Sequence, residues 1–184
     1  MLKKTSLLLL AIIISFNLLA QDRIPVELRD TQLNINILNP SVSFEKRLSD
    51  KQSLTASTGF IITAQYEPDL FGEDFLGISL NPFLRGSFRN YYPRKRVNKE
   101  LKPNSGNYVG LLTGYIFGAV SDNLDFGTTN QSNSFYIGPV WGIQRNYQSG
   151  IHLGLSLGFG FGTGKNMDAA LIGLGQFQFG FVIK

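Results

Sequence analysis

The chain offers few groups able to do chemistry near neutral pH. His152 is the sole histidine and cysteine is absent, which excludes thiolate metal sites, disulfides, a cysteine nucleophile and a His-rich metal centre. A serine nucleophile needs its base about 3 Å away. Ser156 shares a strand face with His152, but four residues of extended chain separate them by ~13 Å. His152 therefore reads as a packing side chain. Gly158, Gly160, Gly162 and Gly164-Lys165 suggest a phosphate loop, but the spacing fails. Phe159 stands five residues before Gly164, and Asn166 follows Lys165 where Ser or Thr is required. Glycine at alternate positions fits close packing on one face of a strand.

Charged groups form three sets. Glu67, Asp69, Glu73 and Asp74 interleave with Leu70, Phe71 and Phe75, without the spacing of a calcium loop. Arg94-Lys95-Arg96, Lys99 and Lys102 form a basic run whose only nearby aromatics are Tyr91 and Tyr92, too few for a nucleic-acid stacking platform. Glu45, Arg47, Arg85 and Arg89 fall on the polar faces of alternating segments. If those faces turn inward, the four must pair, because a lone buried charge costs several kcal/mol. They are expected to form a structural network that plugs the interior. No side-chain set points to catalysis, a cofactor or a bound metal.

The elements that position these residues follow from a period of two. From Ile151, apolar Leu153, Leu155, Leu157, Phe159 and Phe161 alternate with His152, Gly154, Ser156, Gly158, Gly160 and Gly162. Phe177, Phe179 and Phe181 alternate with Gln176, Gln178 and Gly180 in the same way. The pattern predicts eight strands, at about 32–38, 41–48, 53–65, 76–90, 107–118, 133–146, 150–162 and 171–183, with Pro139 interrupting the sixth. No segment keeps a helical period. A soluble barrel or sandwich would face water with the polar side, and that side would carry many charges. Here it carries Gly, Ser, Asn and Gln, and charged residues are only 16% of a chain of 20 glycines and 15 phenylalanines. Small hydrogen-bonding groups suit the lumen of a narrow barrel whose apolar side meets lipid. The expected fold is all-β: an eight-stranded antiparallel up-and-down transmembrane β-barrel.

Residues 1–20 read as a signal peptide, with Lys3 and Lys4 ahead of the apolar run Leu7 to Ile14 and a small-residue site at Ala20. Losing Lys3 and Lys4 takes the net charge from +4 to +2, which leaves no basic excess for nucleic acid. Residues 21–31 are then a polar periplasmic lead-in and 32–184 the barrel domain. With both termini on the periplasmic side, the outer loops are 66–75, 119–132 and 163–170 with a short turn at Asn39-Pro40, and the inner turns are 49–52, 91–106 and 147–149. The stretch 91–106 is long for an inner turn.

Three stretches carry a resemblance: Leu33-Asn34-Ile35-Asn36-Ile37-Leu38-Asn39-Pro40 with Ser43-Phe44-Glu45-Lys46-Arg47, then Arg89-Asn90-Tyr91-Tyr92 with Ser105-Gly106-Asn107-Tyr108, and the glycine-alternating C-terminal end. On these the chain resembles the small eight-stranded outer-membrane β-barrel proteins of the Bacteroidetes, a poorly characterised group. The resemblance covers most of the mature chain and implies a place in the cell outer membrane. It implies contact with outer-membrane lipids and lipopolysaccharide, and insertion by the outer-membrane assembly machinery. The expected function is non-enzymatic: a structural or surface-interaction role through the extracellular loops, whose sequences carry no recognisable ligand signature. The alternatives are a lipid-modifying outer-membrane enzyme and a narrow channel for small solutes.

Overall fold

Strands with two unlike faces must hide one of them, either by stacking or by closing into a ring. In the computed structural model they close. The structure describes residues 23–67, 75–92, 94–95, 101–120, 133–164 and 167–183. The signal peptide, the acidic residues Asp69, Glu73 and Asp74, and the basic residues Arg96 and Lys99 lie outside the described residues.

The described strands are β1 Arg23–Ile24, β2 Thr31–Asn36, β3 Ser41–Arg47, β4 Gln52–Glu67, β5 Phe75–Tyr92, β6 Arg94–Lys95, β7 Gly106–Ile116, β8 Ser134–Asn146, β9 Ile151–Gly164 and β10 Met167–Val182. β2, β3, β4, β5, β7, β8, β9 and β10 form a closed ring of antiparallel neighbours, with β10 returning to β2. β1 and β6 form a separate two-residue ribbon. The expected eight-stranded up-and-down barrel is present, and no helix occurs among the described residues. The boundaries differ most at the ends. β2 stops at Asn36 rather than 38, because residues 37–40 form the turn to β3. β10 begins at Met167 rather than 171, because β9 and β10 continue as one long hairpin. Pro139 does not throw β8 out of phase. It pairs with Leu111 on one side, while the β8–β9 ladder lapses at Gly138-Pro139 and resumes in the same register at Val140, so the missing amide hydrogen interrupts the ladder only locally.

The faces are inverted relative to a water-soluble protein. Ile35, Val42, Leu54, Leu84, Leu111, Ile137 and Leu157 point outward and are exposed, while Asn34, Ser43, Ser57, Ser87 and Ser156 point inward and are buried. Far more large apolar side chains lie outside than inside.

The register fixes the shape of the wall. Val182, Asn34, Ser43, Ser57, Arg85, Gly114, Tyr136, Gly162 and Ala170 are successive partners around the ring. One circuit thus returns to β10 at Ala170, twelve residues from its start at Val182. That offset, at ~3.3 Å per residue, is close to the circumference of eight strands ~4.8 Å apart, so the strands tilt about 45° to the barrel axis.

The interior holds more than the small polar groups expected of it from the sequence. Tyr91, Tyr108, Leu112, Tyr136, Val140 and Leu174 form a buried apolar cluster, flanked by Ile116 and Ile172. Tyr108 and Tyr136 fit because glycines face them. A Cβ on Gly142 would collide with the Tyr108 ring, and one on Gly114 with the Tyr136 ring. In a lumen this narrow, large and small side chains must alternate between facing strands.

Candidate functional site

Inward-facing polar side chains gather at the end of the barrel that carries the turns 48–51 and 147–150. Glu45 on β3 is fully buried. Its Oε1 accepts from Ser53 Oγ on β4 at 2.5 Å and from Tyr91 Oη on β5 at 2.8 Å. Its Oε2 accepts from Gln144 Nε2 on β8 at 2.9 Å and lies 3.8 Å from an Arg89 guanidinium nitrogen. Arg89 on β5 donates through Nε to Ser87 at 3.1 Å and through a terminal nitrogen to Gln144 Oε1 at 2.6 Å, and sits 4.8 Å over the Tyr108 ring. Each carboxylate oxygen therefore has a donor, and the charge pair is bridged by a shared glutamine. A buried pair is tolerated only with that degree of hydrogen bonding.

The network continues through Asn146 at the end of β8. Its Nδ2 donates to Gln32 Oε1 on β2 at 3.0 Å and to the Pro103 carbonyl at 2.9 Å, and its Oδ1 lies 2.7 Å from His152 Nδ1 on β9. Oδ1 only accepts, so His152 donates from Nδ1. Gln32 passes a further bond to Asn34 at 2.9 Å. His152 is fully buried, and Ser156 is buried on the same strand face. Among the described residues no group of three or more His, Asp or Glu converges.

Two segments that are not barrel strands close this end. Residues 101–105, at the end of the long stretch 91–106, turn inward: Asn104 and Ser105 are buried. The Asn104 carbonyl accepts from Gln144 Nε2 at 2.9 Å, and Ser105 Oγ accepts from the Asn146 amide at 2.8 Å. The lead-in lies against this segment. The Asn104 amide donates to the Glu27 carbonyl at 2.7 Å, and Asn104 Oδ1 accepts from the Arg29 amide at 2.7 Å. Leu28 joins the apolar cluster. Asn104 holds φ of 59°, a left-handed conformation that asparagine adopts more readily than other residues with a Cβ. Asn104→Ala is expected to lower stability by about 1–3 kcal/mol, from the lost acceptor and the unfavourable φ together. Asn104→Gly keeps the conformation and should cost less. Urea titration of the two variants beside the parent measures the difference.

The four charged residues singled out in the sequence separate into three locations. Glu45 and Arg89 meet. Arg47, placed on the inward face by its parity, is the last residue of β3 and lies exposed at the rim, where it pairs with Asp30 at 2.5 Å. Its charge stays in contact with solvent, so it does not join the lumen network. Arg85 points inward at mid-barrel, donates from Nε to Tyr136 Oη at 2.7 Å and stacks 4.6 Å from the Phe83 ring, away from Glu45. Gln32, Ser53 and Asn146 share the inward parity and were readable from it; the sequence places Tyr91 in the turn 91–106, but β5 runs on to Tyr92 and carries it inward. Asn104 was not, because nothing in a loop sequence shows that the loop turns into the lumen.

Comparison with protein-family models, with curated proteins and with solved structures finds no match for this chain.

Proposed function

We propose that this chain is a non-enzymatic outer-membrane barrel of the small eight-stranded Bacteroidetes kind, a closed membrane anchor that presents its longer loops for structural or surface contacts. The observation that carries the reading is the inversion of the wall, apolar outside and hydrogen-bonded inside. Its outer surface supports this further. Trp141 donates to Tyr92 Oη at 2.5 Å at one end, and Tyr115 and Phe117 stack edge-on at 4.8 Å at the other, an arrangement suited to two water–lipid interfaces. The charged side chains Lys46 and Arg145 lie near the turn end of their strands, outside the apolar band.

The channel alternative has little room. Glu45, Arg89, Gln144 and Asn146 fill the turn end of the lumen, and the segment 101–105 covers them. The enzyme alternative finds little support in His152, the one imidazole of the chain, which is buried and bonded to an amide oxygen. Planar-bilayer recording is the test. The full mature chain is expected to give no steady conductance. Sustained open-channel current would overturn the closed-anchor reading and favour a channel.

A further inference from the structure

The wall of this barrel is not equally tall all round. β2 and β3 have six and seven residues, whereas their ring neighbours β10 and β4 have 16 each. A tilted strand needs about 9–11 residues to cross a bilayer core. The β2–β3 hairpin therefore reaches only part of the way. Its last links to its neighbours are the Ile37 amide to the Phe179 carbonyl and the Phe60 amide to the Pro40 carbonyl, both 2.8–2.9 Å. Above them β4 pairs only with β5 from Ile61 to Glu67, and β10 pairs only with β9 from Met167 to Gln178. Among the described residues no strand joins those two edges. Three interstrand spacings separate them, roughly 14 Å.

This window opens at the depth of the apolar band. The turn below it carries exposed Ile37 and Leu38, where a turn in water would carry polar residues. The band continues above the turn on both sides, through Ile62 on β4 and through Leu171 and Phe161 on β10 and β9. Behind the window Ile172 and Leu174 point inward from β10 against the buried cluster with Leu112 and Tyr136, whose hydroxyl accepts from Arg85. On the outer side of β10, a Cβ at Gly173 would meet open space, which leaves a bare strip beside the opening. At the floor, the buried Asn36 donates from Nδ2 to Ser41 at 3.1 Å, while its Oδ1 has no hydrogen-bond partner among the described residues.

We propose that this window admits the acyl chain of a membrane lipid into the upper lumen, with Asn36 Oδ1 accepting from a hydroxyl borne on the chain and the edge amides that have no strand partner among the described residues donating to its ester oxygens. The proposal rests on the membrane reading above. An added protein strand is the less favoured occupant. β10 shifts register between Met167 and Ala170, carries exposed Asp168 and places Gly173 and Gly175 on this edge, all features that discourage strand pairing.

Trp141 is the only tryptophan, so the test uses a Trp141→Phe background of the full mature chain in bilayers of phospholipid brominated at mid-chain. Ile172→Trp reports on the lumen behind the window, Leu171→Trp on the outer face, and Tyr108→Trp on the lumen behind a fully paired wall. Leu174→Trp serves as a second window reporter should the tryptophan at 172 prevent folding. The expected result is loss of fluorescence at 172 equal to that at 171, with 108 protected. Protection at 172 as complete as at 108, with 171 quenched, would overturn the window while leaving the membrane reading intact. The same protection accompanied by a dimer would assign the edges to a second copy and equally overturn it. An unquenched 171 would remove the membrane reading and the window together.

Discussion

Replacing Glu45 with alanine is expected to destabilise the barrel by about 3–5 kcal/mol, because it leaves the Arg89 charge buried without its counter-ion. The structure gives the loss several components. Ser53, Tyr91 and Gln144 all donate to this one carboxylate; Ser53 and Tyr91 lose their acceptor, while Gln144 Nε2 keeps the Asn104 carbonyl. Glu45→Gln keeps much of the shape but removes the charge and turns one oxygen into a donor that faces the Gln144 amide. It should also be destabilising, by less. Truncating the partner as well, in Glu45→Ala with Arg89→Ala, should cost less than the sum of the two single changes, since neither charge is then left alone. Urea unfolding of the folded chain in detergent micelles gives all three free energies. Additive losses would show that Arg89 is neutralised by some other group or by water.

A second large effect is expected on the outer face. Leu155 on β9 is exposed, flanked by Ile143 and Phe177, in the half of the strand nearer the turn 147–150. Leu155→Arg should cost up to roughly 2 kcal/mol in a bilayer, between the larger penalty for a cation at mid-depth and the small one near an interface. The same change on a barrel surrounded by water should be close to neutral, so the measurement separates the two environments. Gly154→Arg, one residue away, should fail for a different reason. Even a Cβ there would come within 2.9 Å of Gln178 Oε1, and the lumen has no space for the rest of the side chain. Ser156→Asn on the same inward face keeps hydrogen-bonding character and should be the mildest of the three. Tolerance of arginine at 155 in lipid vesicles would contradict the lipid-facing assignment.

Much of the fold was legible because its rule is local. A side chain on a strand points to the side opposite its neighbours, so the alternation from Ile151 to Phe161 defined two faces without knowledge of any partner. The inward position of Glu45, Arg89, Gln144 and His152 followed from parity alone. Parity carries no information about height, however. It placed Arg47 and Glu45 on one face but could not tell that β3 ends at Arg47, where water reaches the side chain. Nor could it distinguish an inward tyrosine from a break in the pattern. Tyr108 and Tyr136 became intelligible only when Gly142 and Gly114 were seen beneath their rings.

What the sequence determined by itself is the class of wall: eight segments of period two, with small polar groups on one side and aliphatic and aromatic groups on the other. The tertiary structure decided which strands meet at which register, and with it everything that depends on distance across the ring. Gln144 reaches Glu45 across 99 positions of sequence, and Asn146 reaches Gln32 across 114. The stretch 101–105 became part of the closed end only because its backbone turns inward to meet them. The short β2–β3 hairpin opens a window only because β4 and β10 rise past it. Side-chain alternation is a property of one strand and survives in the sequence. Register, closure and relative height are relations between strands, set by hydrogen bonds and packing that exist only once the ring has formed.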